Sequence, residues 1–210
     1  MFGGIQILKL FNESIAMWFL LIASVVGIMF VIERLLFYIK WKLKKKKIGP
    51  WLNGIKSRIL EGETKEILEE CREQKHPVAS LIATALENSK LPSEDLNKVL
   101  IAWIAKIQIA LESNLGILGT ISSIAPLLGL FGTVDGIIRS FRAMAVASSG
   151  GSTVVAMGVA VALVTTAIGI LIAVPALIAY NYSVRIVAVE VTWLETVKDE
   201  VATWIKQSKR

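Results

Sequence analysis

Among the polar side chains that stand inside stretches apolar enough for a membrane, four could do chemistry. Thr133 and Asp135 lie in ISSIAPLLGLFGTVDGIIRSF, residues 121–141, and Thr165 and Thr166 lie in VVAMGVAVALVTTAIGILIAVPALIAYNY, residues 154–182. A hydroxyl can pass a proton or cation along, and a carboxylate at such a depth is a functional candidate by default. Asp135 has Arg139 four residues on, on the same helical face, so the two are expected to pair near the outer interface, tuning charge rather than carrying protons. Asp135 and Thr133 are two residues apart and point to nearly opposite faces. The ion-pathway candidates are therefore Thr133, Thr166 and Thr165. A single membrane threonine often bonds its own carbonyl one turn back. Two such hydroxyls on consecutive spans suggest a shared, hydroxyl-lined interface. Hydroxyls alone cannot carry a proton against a field. Either several copies surround a pore, or a partner helix brings the ionisable group.

The elements that hold these groups are glycine seams. Gly129, Gly132 and Gly136 recur at three- and four-residue spacing with Ala125 one turn earlier, and Gly158, Ala162, Thr165, Gly169 and Ala173 form a second stripe. Small residues at this spacing let helix backbones approach closely in lipid. Pro126 and Pro175 each remove a backbone donor and invite a kink.

Of the 210 residues, 54% are hydrophobic, and the mean hydropathy is +0.63. Three stretches reach the roughly 20 apolar residues that span a bilayer. The order expected is an amphipathic outer-surface segment at 1–14, a span at 15–39, a cytoplasmic helical region at 40–112, a span at 113–145, an outer turn at 146–153, a span at 154–182 and a cytoplasmic amphipathic helix at 183–210. Lys40, Lys42, Lys44, Lys45, Lys46 and Lys47 follow the first span and place it amino terminus out. Arg139 and Arg142 oppose that rule, two charges against six. The four consecutive lysines suit anionic lipid headgroups rather than nucleic acid. Glu33-Arg34 reads as an interfacial pair snorkelling to water. Gly49-Pro50 is expected to break the helix leaving span one. His76-Pro77 and Leu91-Pro92 are expected to end the next helices, with Ser93 capping a helix that runs unbroken into span two. The acids between Glu61 and Glu73 alternate with leucines as a solvated face.

One histidine, His76, and one cysteine, Cys71, leave no Cys/His metal site and no internal disulfide. There is no phosphate loop, no Ser/His/Asp set and no dinucleotide fingerprint. No enzyme, catalytic residue, cofactor or metal is expected. A non-conducting scaffold is one alternative; a secondary transporter lacks its inverted repeat.

IAPLLGLFGTVDGI followed by ALVTTAIGILIAVPALIAYN resembles the paired signature of the MotA/TolQ/ExbB proton-channel family. The Glu33-Arg34 step and the layout of three spans with a long cytoplasmic insertion resemble it too, more like ExbB or TolQ than the four-span flagellar stators. The resemblance implies an all-α integral membrane protein of the bacterial inner membrane, with a periplasmic amino terminus and a cytoplasmic carboxyl terminus. It implies three spans extended into a cytoplasmic bundle and a homopentamer around a central pore. It implies single-span partners of the ExbD/TolR kind that bring the proton-carrying aspartate, and a TonB- or TolA-like periplasm-spanning protein that receives the work. Thr133 and Thr166 stand where the family places its channel threonines. Many relatives carry a glutamate where this chain has Val161, and the slot of Asp135 is usually uncharged.

Overall fold

The computed structural model describes residues 15–74, 76–146 and 151–208. Among them are six helices: α1 (Ile15–Glu61), α2 (Thr64–Glu73), α3 (Pro77–Glu87), α4 (Ser93–Glu112), α5 (Leu115–Val146) and α6 (Gly151–Ser208). The expected outer-surface segment at 1–14 lies outside the described residues, as do residues 147–150 of the outer turn. Three helical stretches are long and apolar enough to cross a membrane: Ile15–Lys42, Leu115–Val146 and part of Val155–Ser208.

The chain divides into two units. The first joins residues 15–34 to residues 114–182. Its surface is apolar: Trp18, Phe19, Ile22, Val25, Leu127, Phe131, Leu163 and Leu171 are all exposed. Such a helix face suits lipid. The second joins residues 35–113 to residues 183–208. Here the side chains interlock in an aliphatic core. Ile55, Ile67, Leu81, Ile82, Leu100, Leu194, Val197 and Val201 are each at most 1% exposed. The α6 stripe of Val187, Val191, Leu194, Val197, Val201 and Ile205 supplies one wall of this unit, as its spacing predicts.

Several breaks fall elsewhere than expected. α1 runs through Gly49-Pro50 for 47 residues. A proline inside a helix costs about 3 kcal/mol, but Ile48, Ile55 and Ile59 on either side are buried in one core and hold the helix together. The turn comes at Gly62, whose φ of +86° closes a tight reversal into α2. α4 does not run into α5. Asn114 takes φ +65° and separates them, a left-handed backbone that asparagine tolerates better than most residues. Ser93 is the first residue of α4 rather than its cap; Pro92 holds the cap position and no side chain bonds there. Residues 151–153 of the expected turn are already helical, and spans and tail that were expected to be separate form the single α6. The helices continue through Pro126 and Pro175.

Candidate hydroxyl seam between α5 and α6

The first unit is built around an antiparallel contact between α5 and α6. A Cβ added at Gly129 would stand 2.9 Å from the Thr166 Cα and 3.1 Å from the Thr165 carbonyl oxygen. One at Gly169 would stand 2.6 Å from the Ala125 carbonyl oxygen. Gly136 meets Ala162 in the same way, and Gly158 meets the Ser140 hydroxyl. The pairs descend one helix as they climb the other. Gly132 faces Thr165 on one side and Ala16 of α1 on the other, so α1 packs on the same seam. At Gly129 and Gly169 a methyl group would meet the backbone of the facing helix, and at Gly132, Gly136 and Gly158 it would meet the side chains of Thr165, Ala162 and Ser140, so the sequence carries glycine there.

Where the backbones touch, the two threonines meet. Thr133 Oγ1 reaches the Gly129 carbonyl one turn back at 3.1 Å and lies 3.5 Å from the Ala162 carbonyl across the seam. Thr166 Oγ1 ignores its own helix and reaches the same Gly129 carbonyl at 3.0 Å. The two hydroxyls also contact each other, and since each has a single proton, one donates across this contact while the other donates to the Gly129 carbonyl. Thr133 is 8% exposed. Two hydroxyls and two carbonyls thus converge, with no ionisable group among them. Such a set relays a proton or ligates a cation; it does not hold a charge by itself.

The other candidates are placed apart. Thr165, 2% exposed, presses its methyl on Gly132 and bonds weakly to the Val161 carbonyl at 3.5 Å. Its position is that of a packing residue. Asp135 is held in a fork by Arg139, 3.1 Å from Nε and 2.5 Å from a terminal nitrogen, on a different flank of α5 from Thr133. Val161 packs with Met17, Leu20, Ala125 and Ala173 in an apolar cluster. Glu33-Arg34 departs from the snorkelling pair expected of it. Arg34 is 4% exposed and forks onto Glu33 at 2.7 and 3.0 Å, turned into protein rather than toward water. The side chains of Lys44, Lys45, Lys46 and Lys47 lie outside the described set. Sequence reasoning missed Ser140, which is 6% exposed and stands opposite Gly158. Its spacing of four from Gly136 was the available signal.

The model of the family described as the MotA/TolQ/ExbB proton channel family matches residues 73–196. The Tol-Pal system protein TolQ of Pseudomonas aeruginosa is 47% identical over 78 residues, 37% of this chain and 34% of that protein. The biopolymer transport protein ExbB of Pseudomonas putida is 46% identical over 78 residues, 37% of this chain and 24% of that one. These matched segments therefore span about a third or less of those relatives. A protein of Methanothermobacter thermautotrophicus described as an ExbB homolog is 27% identical over 203 residues, 94% of this chain and 70% of that protein. The seam that carries both threonines lies inside the matched region, and the chain belongs to the MotA/TolQ/ExbB proton channel family.

Proposed function

We propose that the chain is a proton-channel subunit of an ExbB/ExbD-type motor in the inner membrane. It uses the ion-motive force to energise TonB-dependent transport across the outer membrane. Five copies surround the single spans of ExbD/TolR-like partners. The partner brings the carrier acid, and Thr133 and Thr166 line its route. Asp135, held by Arg139, tunes charge at the outer vestibule. The lysine-rich end of span one rests on anionic lipid in the inner leaflet, so the amino terminus is periplasmic and the carboxyl terminus cytoplasmic.

The observation that carries this reading is the cross-helix bond of Thr166. A hydroxyl serving only its own helix would bond one turn back; this one reaches α5 and meets Thr133. An ion route needs mobile hydrogen-bond partners that are not locked in one helix. The test is Thr166→Val in cells that depend on the complex, with assembly followed by native mass spectrometry. The expected outcome is an intact five-fold assembly that retains its partner but loses ion-driven function. Unchanged function would overturn the assignment and leave a scaffold in which the seam serves assembly alone. A TolQ-like role in the Tol-Pal system is supported equally by the 47% identity over 78 residues. Which single-span partner the chain retains on co-expression decides between the two.

A further inference from the structure

His76 is the only histidine of the chain and is 5% exposed. It sits in the second unit, just before α3, in an extended conformation. Its Nδ1 accepts the Val78 N–H at 3.1 Å, so the imidazole caps α3. The ring is held between two indoles, 5.6 Å from the Trp41 ring of α1 and 5.9 Å from the Trp193 ring of α6. One side chain thus ties the start of α3 to two other helices of its unit.

The cap specifies a protonation state. A nitrogen that accepts a hydrogen bond carries no proton, so this ring is neutral with its proton on Nε2. Protonation turns the acceptor into a donor, sets two N–H groups against each other and strips the cap from α3. The charged groups around the ring come from each neighbouring element. On α1, Lys40 and Lys42 flank Trp41 and are exposed. On α6, Glu190 lies one turn before Trp193, is 6% exposed and lines the same narrow space as Trp41. α3 carries no titratable side chain before Glu87, and Glu73 and Lys75 precede the ring in the chain. The indole faces and Glu190 attract a cation, but the cap bond admits only the neutral ring. The ring already lies between the indoles while it caps, so what protonation removes is the cap bond.

We propose that His76 is a proton-operated latch. Neutral, it fastens α3 to α1 and α6; protonated, it swings out of the cap and loosens the start of α3. Imidazole is the side chain whose ordinary titration falls between about pH 5 and 8. Resting on the function proposed above, the latch slows an ion-driven motor when protons accumulate around the second unit.

The test uses the full chain in mild detergent between pH 8 and 5. Protonated imidazole quenches a neighbouring indole. The wild type should lose tryptophan fluorescence in one step within this window. Its melting midpoint should fall by about 2–4 °C between pH 7.5 and 5.5. The sign follows because the unfolded chain takes up the proton freely while the folded cap resists it, so stability is lost as pH falls. His76→Asn keeps a capping side chain with nothing to titrate, and should show neither change. The same step in His76→Asn, or none in the wild type, overturns the latch. Should that variant not fold, the single imidazole of the wild type is followed by NMR, and a resonance that does not shift overturns the latch as well. A fluorescence step with pH-independent flux through the partner complex keeps the latch and overturns its regulatory role. Absence of flux at every pH overturns the function on which that role rests.

Discussion

The two units of this chain pack by opposite rules. In the first, α5 and α6 meet through Gly129, Gly132, Gly136 and Gly169, with backbone against backbone at Gly129 and Gly169 and only small side chains, Thr165 and Ala162, against the other two. Lipid tails are as apolar as leucine, so burying leucine between membrane helices gains little, and close van der Waals fit with shared hydrogen bonds does the work instead. In the second, large aliphatic side chains are withdrawn from water, and that transfer is the driving force. The difference teaches where polarity is affordable. A seam held by close fit can hold two hydroxyls at its centre, one of them buried. In the second unit polar groups sit at a helix end, as with His76, on the rim, as with Arg58 and Glu70, or singly along α6, as with Glu190.

The largest expected effect breaks the second unit alone. Leu81 is fully buried in α3. Leu81→Ala removes core volume and should destabilise by about 2–5 kcal/mol, read by thermal or denaturant unfolding in detergent. Next comes one substitution with opposite signs in the two units. Gly169→Ala forces a methyl against the Ala125 carbonyl, with backbone on both sides, and should destabilise by about 1–3 kcal/mol. Gly54→Ala, in the second unit, meets nothing within 4 Å and should stabilise α1 by about 0.5–1 kcal/mol. Equal effects at the two sites would dissolve the contrast.

The seam was legible in the sequence because its grammar is local. Glycine, alanine and threonine at helical spacing inside an apolar run have few other uses, and Gly129, Thr133, Thr165 and Thr166 all fall on the contact. The partner of Thr166 was not legible, because spacing places a hydroxyl on a face without saying which carbonyl it will choose. Helix boundaries in the second unit were legible only in part. Pro50 reads as a breaker, yet Ile48, Ile55 and Ile59 share one core across it, and tertiary burial overrides a local signal. Asn114 reads as an ordinary polar residue, and its left-handed backbone depends on where two helices must part. Arg34 shows the same limit. Its long side chain reaches water or protein equally well, and at 4% exposed it lies against protein.

A smaller effect appears on acidification. Glu70 accepts from Arg58 at 2.6 Å and from the Trp51 indole at 2.6 Å, joining α1 to α2. The Arg58 guanidinium holds the carboxyl below the usual carboxylate range, with burial opposing and Trp51 adding. A lowered folded value means the stabilisation is present above that range and is lost as pH falls through it. Both partners are about a third exposed, so solvent screening keeps the effect modest. Glu70→Gln should flatten the acid limb of the melting curve by no more than about 2–4 °C.

The smallest expected effect is none at all, and it sharpens the comparison most. Cys71 is 3% exposed in α2, and burial, aided by the charge of Glu70 and opposed by Arg58, pushes its thiol up to about 12. Only the thiolate is nucleophilic, so the native chain should resist a maleimide at pH 7.5. Labelling then reports the opening of the second unit. Leu81→Ala should speed it by about 30-fold or more, because about 2 kcal/mol of lost stability raises the open population by that factor. Gly169→Ala should leave the labelling rate at the wild-type value even while it weakens the α5–α6 seam. If Gly169→Ala exposes Cys71 as readily as Leu81→Ala does, the two units unfold as one. The opposite packing rules would then describe a single cooperative structure rather than two.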